Sequence, residues 1–289
     1  MQEFFMRFTF MKVNREPAMT IVKTRQSSQV VTGGSRGILR LPPEGVTVSR
    51  HRPSSPVACL VAYYWRVSWD LRGGQPHLQE TLPHPNVYLV FENNRLQCSG
   101  VSTTKFTRTL AGEGFALGVK FRPGGFRPYL NAAVCSLTDR ILAANCVFGA
   151  GGDRLQTALL ACREEDEMVQ TIDGFLLQRT PAQDENVALV DGLVAQILAQ
   201  PEMRTVDDLV NRTSIGKRTL QRLFREYVGV SPKWVIQRYR LHELIARVES
   251  SDPLNWPDLA IELGYFDQAH LIHDFRAVTG YSPAGYQRR

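Results

Sequence analysis

Residues 224–232 read FREYVGVSP, and residues 275–283 read FRAVTGYSP. Phe, Arg, Gly, Ser and Pro recur in register, each 51 positions later. Glycine after an apolar-periodic run is a helix stop, and Ser-Pro supplies an N-cap and first-turn residue for the next helix. The copies therefore predict one joint written twice: a helix stops at Gly229 or Gly280 and another starts at Pro232 or Pro283. Upstream of the first joint, Leu220, Leu223, Phe224 and Tyr227 fall at i, i+3, i+4, i+7, which is one face of a helix. Upstream of the second, Leu271, Phe275 and Val278 do the same.

Further caps mark the remaining helices between 186 and 289. Val187, Val190, Leu193, Val194 and Ile197 form an amphipathic stripe. Thr205 caps VDDLVN, Asn255 precedes WPDLAIELG, and Gly264 ends that segment. From Pro232 to about Val248 the pattern runs unbroken, a connector of roughly 25 Å at 1.5 Å per residue. On periodicity alone, the repeat could be a helical hairpin duplicated for packing. The face left outside the core bears on the choice. Burying Leu220, Phe224 and Tyr227 turns Lys217, Arg218, Gln221, Arg222 and Arg225 outward. Arg and Lys can bond guanine edges or phosphates, and Gln can pair with adenine. A solvated charged face is the bland alternative. Between Ser214 and Arg240 there are seven basic residues against one acid; between Ser251 and Arg289 there are three against five. The charge is concentrated in and just after the first copy, which matters more than the net +6 of the chain.

SIGKRTLQRLFREYVGVSPKWVIQRYRLHEL (214–244) and LAIELGYFDQAHLIHDFRAVTGYSPAGYQ (259–287) resemble the two halves of an AraC/XylS-type DNA-binding domain. The resemblance covers about 186–289. It implies two helix-turn-helix units joined by the long connector, with both recognition helices in successive major grooves about 34 Å apart. Carried over by position, Arg218, Gln221 and Arg222 are the base readers of the first unit. Lys217, Arg225, Lys233 and Arg276 are the phosphate-positioning residues. In the second unit Gln268, Ala269, Ile272 and His273 occupy the reading face. Ile272 cannot hydrogen-bond a base, and Asp267 and Asp274 oppose phosphate, so this unit is expected to contribute less affinity. His270 and His273, at i, i+3, lack the third ligand a zinc site needs.

Residues 37–180 read as a β-rich, barrel-like domain for sensing or dimerisation, with a helical C-terminal part. The blocks WDLRG, QETLPHPNVYLVFE, GVKFRPGGFRPYL and LTDRI also resemble a β-rich domain found ahead of AraC-type modules. WRVSWDL alternates as a half-buried strand. VYLVFENNRLQC predicts a hairpin about Asn93-Asn94, and FTRTLAGEGFALGVKF a second with its tip at Gly112-Glu113-Gly114. RPGGF reads as a tight turn, and SLTD (136–139) resembles a capping box opening the helices. Residues 179–186 read as a linker, and 1–36 as a poorly ordered extension without a secretory signal. Trp65, Trp69, Glu80, His84, Lys120 and Arg122 are the ligand-pocket candidates, with core or surface as the plainer assignment for each.

The fold class is therefore α+β, with an all-α C-terminal domain. The expected function is transcription regulation, with double-stranded DNA, a small-molecule effector and RNA polymerase as partners. A cytoplasmic homodimer without membrane span, cofactor or metal is expected. The weighed alternative is a DNA-targeted enzyme with a metal-dependent or alkyl-accepting N-terminal domain. Against it, the five cysteines are scattered, with Cys135 and Cys146 the closest pair, and they read as reduced, buried thiols.

Overall fold

The computed structural model describes residues 39, 42–179, 184–200, 202–249 and 254–287. The expected extension at 1–36 and the middle of the expected linker lie outside them. Strands β1 (Val46–His51), β2 (Val61–Asp70), β3 (His77–Thr81), β4 (Tyr88–Glu92), β5 (Arg95–Ser99), β6 (Phe106–Leu110), β7 (Glu113–Phe121) and β8 (Ile141–Ala143) form two sheets. One is six-stranded, in the order β1-β2-β7-β4-β5-β8; the other pairs β3 with β6. The described strands close no barrel.

The β4–β5 hairpin forms as its sequence predicts. Asn93 and Asn94 take φ of 49° and 60°, the left-handed pair that a two-residue hairpin turn requires. The second predicted hairpin does not form. β6 pairs with β3, while β7 lies between β2 and β4. Gly112, at φ +62°, carries the chain from one sheet to the other. The alternation of β7 explains its central place. Leu117, Val119 and Phe121 face one side and are fully buried. Gly114 and Gly118 face the other, where a Cβ on Gly118 would sit 2.3 Å from the Trp65 ring.

Strand β2 is half-buried along WRVSWDL as expected: residues 65–68 are half-buried, Trp69 is buried and Asp70 is exposed. Trp65, Val67 and Trp69 pack with Leu110 and Ala116. On the opposite face Tyr64 is buried under helices α1 (Asn145–Phe148), α2 (Ala150–Ala161) and α3 (Glu165–Leu177), and Arg66 meets Glu165 at 3.2 Å. RPGGF turns as expected, with the Gly125 N–H donating to the Arg122 carbonyl at 2.8 Å.

SLTD is not a helix start. Val134–Leu137 is a single 3-10 turn, and Asp139 adopts φ 57°, which no third residue of a helix can take. Asp139 instead accepts from the backbone N–H and hydroxyl of Thr103. Nor are the thiols uniformly buried: Cys98 is, whereas Cys59 and Cys146 are exposed.

Helix α4 (Glu185–Ala199) buries the whole predicted stripe from Val187 to Ile197. Helix α5 (Val206–Thr213) opens with a capping box between Thr205 and Asp208. Then come α6 (Lys217–Leu223), α7 (Pro232–Glu249), α8 (Trp256–Glu262), α9 (Gln268–Thr279) and α10 (Pro283–Gln287). Gly229 and Gly280 close α6 and α9 at φ 98° and 83°. The cores are not segregated by chain half. Leu60 and Val101 pack with α4, α5 and α6, and Leu82 is buried among α7, α8 and α9.

Candidate nucleic-acid interface

Leu220, Leu223 and Phe224 seat α6 in its core, and Lys217, Arg218, Gln221, Arg222 and Arg225 all emerge exposed. The Lys217 ammonium lies 2.9 Å from Asp207 on α5. Arg222 stands 3.8 Å from Glu226, whose other oxygen takes a 3.1 Å bond from Arg127. Glu226 is thus held from the far side, and Arg222 remains two-thirds exposed. After Leu223 the helix widens into a π turn, Phe224–Val228, so the Gly229 N–H reaches back to the Phe224 carbonyl at 2.8 Å. In the second copy the Gly280 N–H bonds Arg276, one residue closer, in regular α geometry. The two joints share sequence but not winding.

Ser231 caps α7 by accepting the Trp234 N–H at 3.2 Å, and Lys233 is exposed beside it. Two of the seven basic residues counted across this region do not face outward. Arg238 is 4% exposed; it donates to the Thr103 carbonyl at 2.6 Å and lies 4.6 Å from the Trp234 ring centre. Burial pushes its guanidinium down to about 10. Arg240 lies 4.4 Å from the ring centre of Tyr265.

In the second unit Leu271 and Phe275 seat α9. Ala269, His273 and Arg276 are exposed, while Gln268 and Ile272 are half-buried. Asp267 caps the helix by accepting the His270 N–H at 2.8 Å. His270 and His273 lie 3.6 and 3.5 Å from the two oxygens of Asp274. Among the described residues no group of three or more His, Cys, Asp or Glu side chains could hold a metal ion.

Three residues of the N-terminal part hold the two units, and no local pattern flagged them. The Thr138 hydroxyl donates to the Gly229 carbonyl at 2.7 Å. The Thr103 carbonyl receives Arg238, as described. The Lys105 ammonium bonds the buried Glu80 carboxylate at 2.5 Å and the Thr279 carbonyl at 2.9 Å, placing a cation on the negative end of α9. The segment 101–105 with Thr138 is therefore a strap over both Gly-x-Ser-Pro joints and the helix between them. Its signal lies in pairings across more than ninety residues, beyond any sequence window.

The pocket candidates separate. Trp65 and Trp69 lie flat over Gly118 and Gly114. Glu80 belongs to the strap, and His84 stacks on His242 of α7 at 4.3 Å. Arg122 pairs with Asp191 of α4 at 3.2 Å. Lys120 stands between Tyr63 and Tyr88 on its two neighbouring strands, and its ammonium and the Arg50 guanidinium lie 5.4 and 5.0 Å from the Tyr63 ring centre. Burial, with a smaller effect of Arg50, pushes the Lys120 ammonium down to about 8.

Residues 209–289 match the model of a helix-turn-helix domain, which takes in both units and the connector. The C-terminal part of the chain is a helix-turn-helix domain. Residues 49–143 match a second model, a domain of unknown function (DUF6597). Similar solved structures include the 1.65 Å structure of ToxT from Vibrio cholerae, at 11% identity and TM-score 0.37, covering 84% of this chain and 97% of that one. Another is wild-type ToxT from Vibrio cholerae with an unsaturated fatty acid bound, at 11% identity and TM-score 0.36, covering 86% and 96%. Both are loose likenesses. No curated protein matches the chain, and none of its described helices is long and apolar enough to cross a membrane.

Proposed function

We propose that the chain regulates transcription by reading two adjacent half-sites, with α6 and α9 in successive major grooves and α7 setting their separation. The observation that carries this reading is the exposed set Arg218, Gln221 and Arg222 on a helix whose other face is locked by Leu220, Leu223 and Phe224. Those three read bases, while Lys217, Arg225, Lys233 and Arg276 position the duplex through phosphates. The Lys217–Asp207 pair does not oppose this role. Both partners are more than half exposed, and such a pair is weak enough for phosphate to replace the carboxylate. On α9, Gln268, Ala269, Ile272 and His273 read the second half-site with weaker electrostatics.

The N-terminal part supplies control. A small molecule bound within it, or pairing of two copies through it, would act on the strap that touches both joints. The 37–180 and 186–289 division is thus functional more than mechanical.

The test is a binding titration against duplexes selected by the protein from genomic fragments. Arg222→Ala is expected to cost about 1–3 kcal/mol and to relax preference at one base position. His273→Ala is expected to cost less. An equal or larger loss for His273→Ala would overturn the asymmetry between the units.

A further inference from the structure

The turn that leads into α9 carries the most exposed large apolar residue described in the chain. Phe266 is 90% exposed, directly before the N-cap Asp267. An apolar residue at that position ordinarily folds back onto the fourth residue of the helix, closing a hydrophobic staple. Here that residue is Leu271, already fully buried, and Phe266 does not join its cluster.

Comparison of the two copies shows why. At the 51-residue spacing Phe266 corresponds to Ile215, which is half-buried against the core of the first unit. Tyr265 corresponds to Ser214, which is exposed. In the second unit the anchoring role has moved one residue back. Tyr265 is buried in the core, with Arg240 over its ring and His270 edge-on at 5.3 Å. Packing therefore makes no use of Phe266, and the ring projects from the end of the helix that presents its first residues to base edges.

The chemistry of that end fits an apolar contact better than an ionic one. Asp267 already takes the His270 N–H at the start of α9, and its charge opposes phosphate. Ala269, exposed one turn-position on, and Ile272 add aliphatic surface but no donor. A thymine C5-methyl is the one apolar group on a major-groove edge, and phenylalanine is among the side chains that can pack on it.

We infer that Phe266 is a specificity residue of the second unit, packing on a thymine methyl in its half-site. This rests on the DNA-binding reading of α9. The second unit then adds an apolar contact to its reading by Gln268 and His273, where the first reads through hydrogen bonds.

The test uses the full chain and a duplex selected by it from genomic fragments. Each thymine of the second half-site is replaced in turn by deoxyuridine, which lacks the methyl. With the native chain, one replacement is expected to weaken binding about fourfold, the equivalent of one buried methyl-sized group. With Phe266→Ala that replacement is expected to have no effect, while binding to the unmodified duplex is weaker. Because Phe266 is exposed, the variant should melt with the native chain, and Phe266→Leu should retain part of the methyl sensitivity. Equal deoxyuridine penalties in the native chain and Phe266→Ala overturn the proposal. So does unchanged DNA binding by Phe266→Ala, which would make the ring a protein-docking residue. If the native chain selects no duplex at all, the DNA-binding reading fails first, a result distinct from the other two.

Discussion

Leu82→Ala is expected to lower the stability of the chain by about 2–5 kcal/mol, measured by urea unfolding, although Leu82 belongs to neither helix-turn-helix unit. The side chain is fully buried. Its cluster is built from Leu241, Leu244, Ile245 and Val248 of α7, Leu259 of α8, and Leu271 and Phe275 of α9. Removing three carbon groups there takes away their transfer free energy and leaves a cavity lined by all three helices. The damage should be local before it is global. Amide hydrogen exchange should rise first in α8 and α9, because their packing loses its N-terminal plug, and later in the sheet. A loss under about 1 kcal/mol would mean that the site collapses around the smaller side chain, and that the N-terminal part does not support the second unit as the packing indicates.

Lys120→Met is expected to act in the opposite direction, stabilising the chain by about 3 kcal/mol at pH 7. In the folded chain the ammonium loses its proton near 8, against an ordinary 10.5. Between those values the unfolded chain binds more protons than the folded one, so native stability climbs as pH rises from about 8 to 10.5. Below 8 the full cost of holding a half-buried cation between Tyr63 and Tyr88 is present. The methionine variant lacks that cost, so its advantage should be largest at neutral pH and shrink through the same interval. A pH-independent difference between the two proteins would show that the gain comes from packing rather than from removing charge.

The C-terminal fold was legible because its information is local. Gly229, Gly280, Thr205, Asn255 and the Ser-Pro pairs mark ends within one turn of where they act. The seats of α6 and α9 follow from a period that a dozen residues suffice to define. The strands were found for the same reason, but their partners were not. β6 and β7 adjoin in sequence with Gly112 between them, which imitates a hairpin; only the small residues of β7 facing Trp65 and Trp69 place it mid-sheet. The outward face of α6 was readable. The inward placement of Arg238 was not, since its hydrogen-bond partner Thr103 is 135 residues away. Counting charge along the chain therefore overstated the basic surface. The pocket candidates scattered for a related reason: residue type marks a side chain as able to bind, but convergence is a property of the sheet order.

The strap has a consequence for kinship between such chains. Thr103 and Lys105 must lie two residues apart to reach Arg238 and Thr279 together, while Thr138 meets Gly229 from another turn. A one-residue insertion between 101 and 105 would shift both contacts at once. The two halves are thus poor candidates for shuffling among relatives. A helical half grafted behind a foreign sheet would keep its reading surface and lose the fastening of both joints. Thr103, Gly229 and Thr279 accept through backbone carbonyls, so the side chains that must be inherited together are the three donors, Lys105, Thr138 and Arg238, as the parts of one lock.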